Sequence, residues 1–120
     1  MKKLVPILFL VLFALAGCNR GPATYKASND GKNLLENCET FVNKTVKQAP
    51  NYTAEDWKVS LSSFSEMCKD YKINEWQFFE ADRDKFADLR MQYATVLEST
   101  GNQELMSEMK QIYSNAIEQK

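Results

Sequence analysis

Apolar residues recur every three or four positions through most of this chain, and that spacing predicts helices. Leu34, Cys38, Phe41, Thr45 and Ala49, flanked by Leu35, Val42 and Val46, draw a first stripe over about Lys32 to Ala49. Asp30 suits its N-cap, and Pro50 ends it, because the residue before a proline is pushed out of the α region. A second stripe, Trp57, Leu61, Phe64, Cys68 and Tyr71, alternates steps of four and three like the seam of a packed bundle. Ser60, Ser62, Ser63 and Ser65 fall off that seam. Phe79, Phe86, Leu89, Tyr93, Val96 and Leu97 carry a third stripe to about Thr100. Leu105, Met109, Ile112 and Ala116 carry a fourth, flanked by Met106, Tyr113 and Ile117. No strand pattern competes anywhere from Cys18 to Lys120.

The boundaries between stripes carry local signals. In Asn51-Tyr52-Thr53-Ala54-Glu55-Asp56-Trp57, Thr53 is a natural N-cap and Asp56 sits where a capping-box partner reaches back. Tyr52 and Trp57 have hydrophobic-staple spacing. The turn from Ala49 to Thr53 is short, so the first two helices are expected to lie antiparallel. Gly101 suits a left-handed helix end, and Asn102 the N-cap of the last helix. From Lys72 to Phe78 the pattern breaks into a bent connection rich in large apolar groups: Ile73, Trp76, Phe78 and then Phe79.

The start of the chain follows different rules. Met1-Lys2-Lys3 is basic, and Leu4 to Ala16 is almost wholly apolar. That run has the length of a signal-peptide core and falls short of the roughly 20 residues a membrane-spanning helix needs. It closes on Leu15-Ala16-Gly17-Cys18, a tetrad that resembles the lipobox of bacterial lipoproteins. The expectation is a signal peptide over 1–17 and a lipidated Cys18. A flexible Gly/Pro/Ser-containing tether over 18–30 and a helical domain over 31–120 would follow. Within that tether Tyr25 is the one aromatic and reads as incidental. Asn19, rather than Asp, follows the cysteine, which leans toward the outer membrane, facing the periplasm.

Composition removes most chemistries. Losing Lys2 and Lys3 takes the basic count from 15 to 13 against 16 acidic residues, a net charge of −3. With no basic patch, nucleic acid is a poor partner. The absence of histidine closes the usual zinc, haem and imidazole acid–base sites. Glu80, Asp82, Asp84 and Asp88 lack the central glycine and closing glutamate of a calcium loop and read as a solvated helix face. Neither a cofactor nor a metal is expected, and the chain reads as a non-enzyme. With Cys18 acylated, Cys38 and Cys68 remain as a pair for a disulfide stapling the first two helices, against the plainer reading of two buried free thiols. Trp76, Phe78 and Phe79 are the candidate patch for a partner, against the plainer reading that they cap the core.

Phe41-Val42, the Asn51 to Trp57 segment, Phe64 and Met91-Gln92-Tyr93-Ala94 resemble a group of small helical lipoproteins of Bacteroidota. Those proteins carry a Tyr-Thr-x-Glu-Asp-Trp helix start and an Arg-Tyr-Ala-like segment in a later helix. Gln92 stands here where that group has Arg, and the middle connection is more aromatic. The resemblance covers roughly residues 34 to 115. It implies a helical fold and an envelope location and implies no activity. The combined expectation is an all-α, antiparallel bundle of three to four helices. It would be a membrane-anchored interaction or scaffolding module for another envelope protein. A small-ligand or holdase-like module, with a groove between helices under Trp76 and Phe78, is the alternative.

Overall fold

The structure is a computed structural model that describes residues 21–118, so the expected signal peptide and the expected lipidation site, Cys18, lie outside the described residues. Within them are four α-helices and no strand. They are α1 (Gly31–Gln48), α2 (Ala54–Asn74), α3 (Glu80–Glu98) and α4 (Gln103–Tyr113). Short 3₁₀ turns, Ala49–Asn51 and Glu75–Gln77, join α1 to α2 and α2 towards α3, and a π-helical turn, Ser114–Glu118, follows α4. The helices form an elongated body of 54 × 29 × 18 Å.

Each helix start is built from its own sequence. The Asp30 carboxylate accepts from Lys32 N at 3.0 Å at the head of α1. At α2, Thr53 Oγ1 accepts from Asp56 N at 3.1 Å while Asp56 Oδ2 accepts from Thr53 N at 3.0 Å, and the Tyr52 ring meets Trp57 edge-on at 5.0 Å. Asn102 Oδ1 caps α4 through Leu105 N at 3.1 Å. Gly101 ends the preceding turn at φ +70°, where a side chain would be strained. Thr53→Ala therefore costs about 1 kcal/mol. Urea unfolding should show a lower midpoint with an unchanged slope, and an unchanged midpoint would refute the cap's contribution.

The core forms where the stripes meet, and α1 packs most closely along α3. Tyr93 is its centre. Its ring stacks on Phe64 at 4.5 Å and on Phe41 at 5.7 Å, meets Trp57 edge-on at 6.1 Å, and its hydroxyl shares a 2.8 Å hydrogen bond with Ser60. Ser60 and Ser63, placed off the seam by the sequence, are buried and bonded. Lys85 and Glu39 pair at 3.2 Å across α1 and α3, and the Arg90 guanidinium lies 4.2 Å over the Tyr113 ring to join α3 to α4.

The disulfide expected between Cys38 and Cys68 is not formed: both are free thiols with no exposed surface. A bridge needs Cα atoms within about 7 Å. Although α1 packs on α2 as well as on α3, the two thiols stay unbridged.

The tether also differs from the expectation. From Ala23 to Asn29 the chain is an extended strap laid over α1 and α2. Ala23 N donates to Gln48 Oε1 (2.9 Å) and to the Tyr52 hydroxyl (3.3 Å). Tyr25 N donates to Ser63 Oγ at 3.1 Å. The Tyr25 hydroxyl and Ser28 N both donate to Asp70 Oδ2. Asn37 reaches Lys26 O at 2.9 Å, and Gln77 Nε2 reaches Asn29 O at 3.1 Å. Tyr25 is half-buried against the core and far from incidental. Its role was invisible in sequence because its partner, Asp70, lies 45 residues away.

Candidate surface at the connection of α2 and α3

Helix α2 runs three residues past its expected end at Tyr71, to Asn74, and this sets the geometry of the connection. Asn74 is buried. Its Nδ2 donates to the Asp70 carbonyl at 2.9 Å, and its Oδ1 accepts from Gln77 Nε2 at 2.8 Å. This polar clip closes the 3₁₀ turn and fixes which aromatics face inward. Phe78 follows in extended conformation and turns in. Its ring stacks on Tyr71 at 5.2 Å, and Tyr71 in turn stacks on Phe86 at 3.8 Å. Gly31 permits this approach, since a Cβ there would meet Phe78 Cε1 at 3.0 Å. Successive extended residues point to opposite sides, so Phe79 turns out.

The expected patch therefore divides. Phe78 is 7% exposed and belongs to the core, whereas Trp76 is 81% and Phe79 80% exposed. Ile73, passed over as a site residue in the sequence, joins them at 70%. The signal that could have found it is its three-residue spacing from Trp76, repeated from Trp76 to Phe79. Scattered exposed apolar residues are ordinary, but three large ones within seven positions at one end of a small domain are not. Polar groups frame them. Lys72 pairs with Glu75 at 3.3 Å, Arg83 donates to the Glu75 carbonyl at 3.4 Å, and Asp82 Oδ2 accepts from Phe79 N at 3.1 Å.

The groove expected under Trp76 and Phe78 takes another form. A surface cleft of about 420 Å³ opens beside Phe78, lined also by Gly31, Leu35, Gln77, Asp82 and Lys85, and Trp76 is not part of its wall. A larger cleft, about 590 Å³, lies at the opposite end, where the α1–α2 turn meets the α3–α4 turn. The capping and staple residues Tyr52, Thr53 and Trp57 line it.

Buried titratable groups here are structural. Desolvation pushes the Cys38 and Cys68 thiols up to about 12, with the Asp70 charge adding to the effect at Cys38. Burial likewise raises Tyr25, whose hydroxyl is held further by Asp70 and Cys38, and it raises Tyr52, Tyr71 and Tyr93. Each acid stays neutral in the fold and ionises more easily once unfolded. Their contribution is thus complete below the ordinary values of 9.0 for thiol and 10.0 for tyrosine, and is lost as pH rises beyond them. Stability should fall steadily from about pH 9 upward, with no histidine transition. Native thiols should resist maleimide at neutral pH and react fully in denaturant. A midpoint flat through pH 11, or rapid native labelling, would contradict this.

Among the described residues, no three Cys, Asp or Glu side chains gather as a metal-ligand set, and no helix is long and apolar enough to cross a membrane. Comparison with protein-family models, curated proteins and solved structures finds no match to this chain.

Proposed function

We propose that this chain is a non-enzymatic, lipid-anchored envelope protein whose antiparallel helical bundle presents Ile73, Trp76 and Phe79 to another envelope protein. The observation that carries the reading is the direction of the strap. The chain arrives beside Gln48 and Tyr52, at the α1–α2 turn, and the exposed aromatics stand past the far end of α2. The 21 residues of α2 separate those ends by about 30 Å. A lipid on Cys18, five residues before Ala23, would hold the first end at the bilayer and turn the second away from it. The lipobox, the Asn19 that follows it and the resemblance to Bacteroidota lipoproteins support an outer-membrane site facing the periplasm. The partner would offer an apolar recess, since Trp and Phe anchors gain most when fully desolvated.

The test places a photo-crosslinking amino acid at 76, at 79 or at Met91 on the exposed side of α3, in intact cells. The expected result is one envelope protein captured from 76 and 79, and not from 91. The capture should disappear in a Cys18→Ser background and in Ile73→Ser. Folding should be little affected, because these side chains are largely exposed and none belongs to the core. Equal capture from all three positions, or none, would sink the reading. The ligand-carrying alternative draws its support from the 590 Å³ cleft, which falls within the roughly 300–1,000 Å³ of small-ligand sites.

A further inference from the structure

The 590 Å³ cleft differs from the rest of this surface in its chemistry. Its walls are Val46, Ala49, Tyr52, Trp57, Val96 and Leu105, and its rim is hydroxyl and amide. None of its lining residues is charged, in a chain that is 26% Asp, Glu, Lys and Arg. The cleft beside Phe78, by contrast, carries Asp30, Lys32, Glu36, Asp82 and Lys85. A charged ligand would find no partner in the larger cleft, and an apolar chain would lose no solvation of ionised groups by entering it. The strap delivers such a chain to its edge. The Tyr52 side chain that forms part of the wall also accepts the hydrogen bond from Ala23 N. Cys18 is five residues upstream, so its sulfur attachment lies within about 17 Å of that point at full extension.

We propose that this cleft binds an acyl chain of the protein's own Cys18 lipid when the protein is off the bilayer. The inference rests on the acylation of Cys18 advanced above. On this view the staple pair Tyr52 and Trp57 serves twice, fixing the start of α2 and walling the acyl site. In the bilayer the acyl chain leaves the cleft, because a membrane covers all of it and the cleft covers part.

Cells fed a fatty acid bearing a diazirine would supply the probe. The full chain is extracted, its Cys18 modification is read by intact mass, and detergent is exchanged for buffer before irradiation. Crosslinks are expected in peptides spanning residues 46–57 and 96–105, within one copy when isotopically heavy and light protein are mixed. Val96→Asp should lower their yield about tenfold. Ala54→Trp, which fills the cleft from an exposed position, should do the same without disturbing the core. Val59→Asp, on the exposed side of α2, should change nothing. Crosslinks between copies, a spread over the whole surface, or full yield in Ala54→Trp would overturn the proposal. A mass without an acyl group would remove the anchor itself, and the acyl site with it, whatever the cleft does.

Discussion

Tyr93→Ala should cost about 3–5 kcal/mol, enough to leave a domain of this size barely folded. Three aromatic neighbours from α1 and α2 close on this one ring, and its surface is fully buried. Truncation leaves a cavity bounded by rings that cannot all move in together. It also orphans the Ser60 hydroxyl, which is itself buried. Tyr93→Phe separates the two contributions. It keeps the stacking and loses only the hydrogen bond, so it should cost about 1–2 kcal/mol. Urea unfolding of the three proteins decides the matter. A Tyr93→Ala midpoint within about 1 kcal/mol of the parent would mean that the core collapses freely and that the aromatic cluster is not its keystone.

Asp70→Ala should free the strap. One carboxylate oxygen takes both the Tyr25 hydroxyl and Ser28 N, while the other takes Asn74 Nδ2 at 3.2 Å. Hydrogen bonds to a charged group are worth about 1.5–3 kcal/mol when lost, but these share one acceptor group that is partly solvated. A total near 2 kcal/mol is expected. The specific readout is local. Amide exchange from Tyr25 to Ser28 should approach that of an unfolded chain while α3 and α4 stay protected. Asp70→Asn keeps an acceptor for Tyr25 and should show a smaller change of the same kind. Uniform loss of protection across all four helices would instead make Asp70 a residue of the whole fold, and the strap no separate element.

These two sites show different kinds of legibility. Tyr93 stands on a helical stripe, so its burial follows from spacing alone, and only the identity of its neighbours required the fold. Asp70 stands next to a buried tyrosine on a helix whose other charges, Asp56 of the capping box apart, are exposed. Nothing in its neighbourhood distinguishes it from Lys69 or Glu66. The same holds for Ser60 and Ser63. A serine beside an apolar seam is exposed or buried according to whether another segment arrives to bond it. Tyr93 and the backbone of Tyr25 arrive from 33 and 38 residues away.

The aromatic connection shows the limit most clearly. Three rings within four positions announce that something is buried or offered, and no periodicity survives there to say which. The answer depends on where α2 stops. Three extra helical residues and the Asn74–Gln77 clip rotate Phe78 toward Gly31 and leave Trp76 and Phe79 outside.

The chain by itself determined what depends on neighbours a few residues apart. Helical class, the caps at Asp30, Thr53 and Asn102 and the left-handed turn at Gly101 all arise from interactions within one turn of backbone, whereas Ala49, before Pro50, keeps the αR conformation and the chain runs on as a 3₁₀ turn through Pro50. Tertiary structure alone decided the pairing of α1 with α3, the burial of two free thiols, the docking of the strap on Asp70 and the exposure of Ile73, Trp76 and Phe79. Each of those joins residues distant in sequence, or turns on the path of a connection. Helical periodicity fixes which side of a helix is apolar, and it does not specify which partner covers that side.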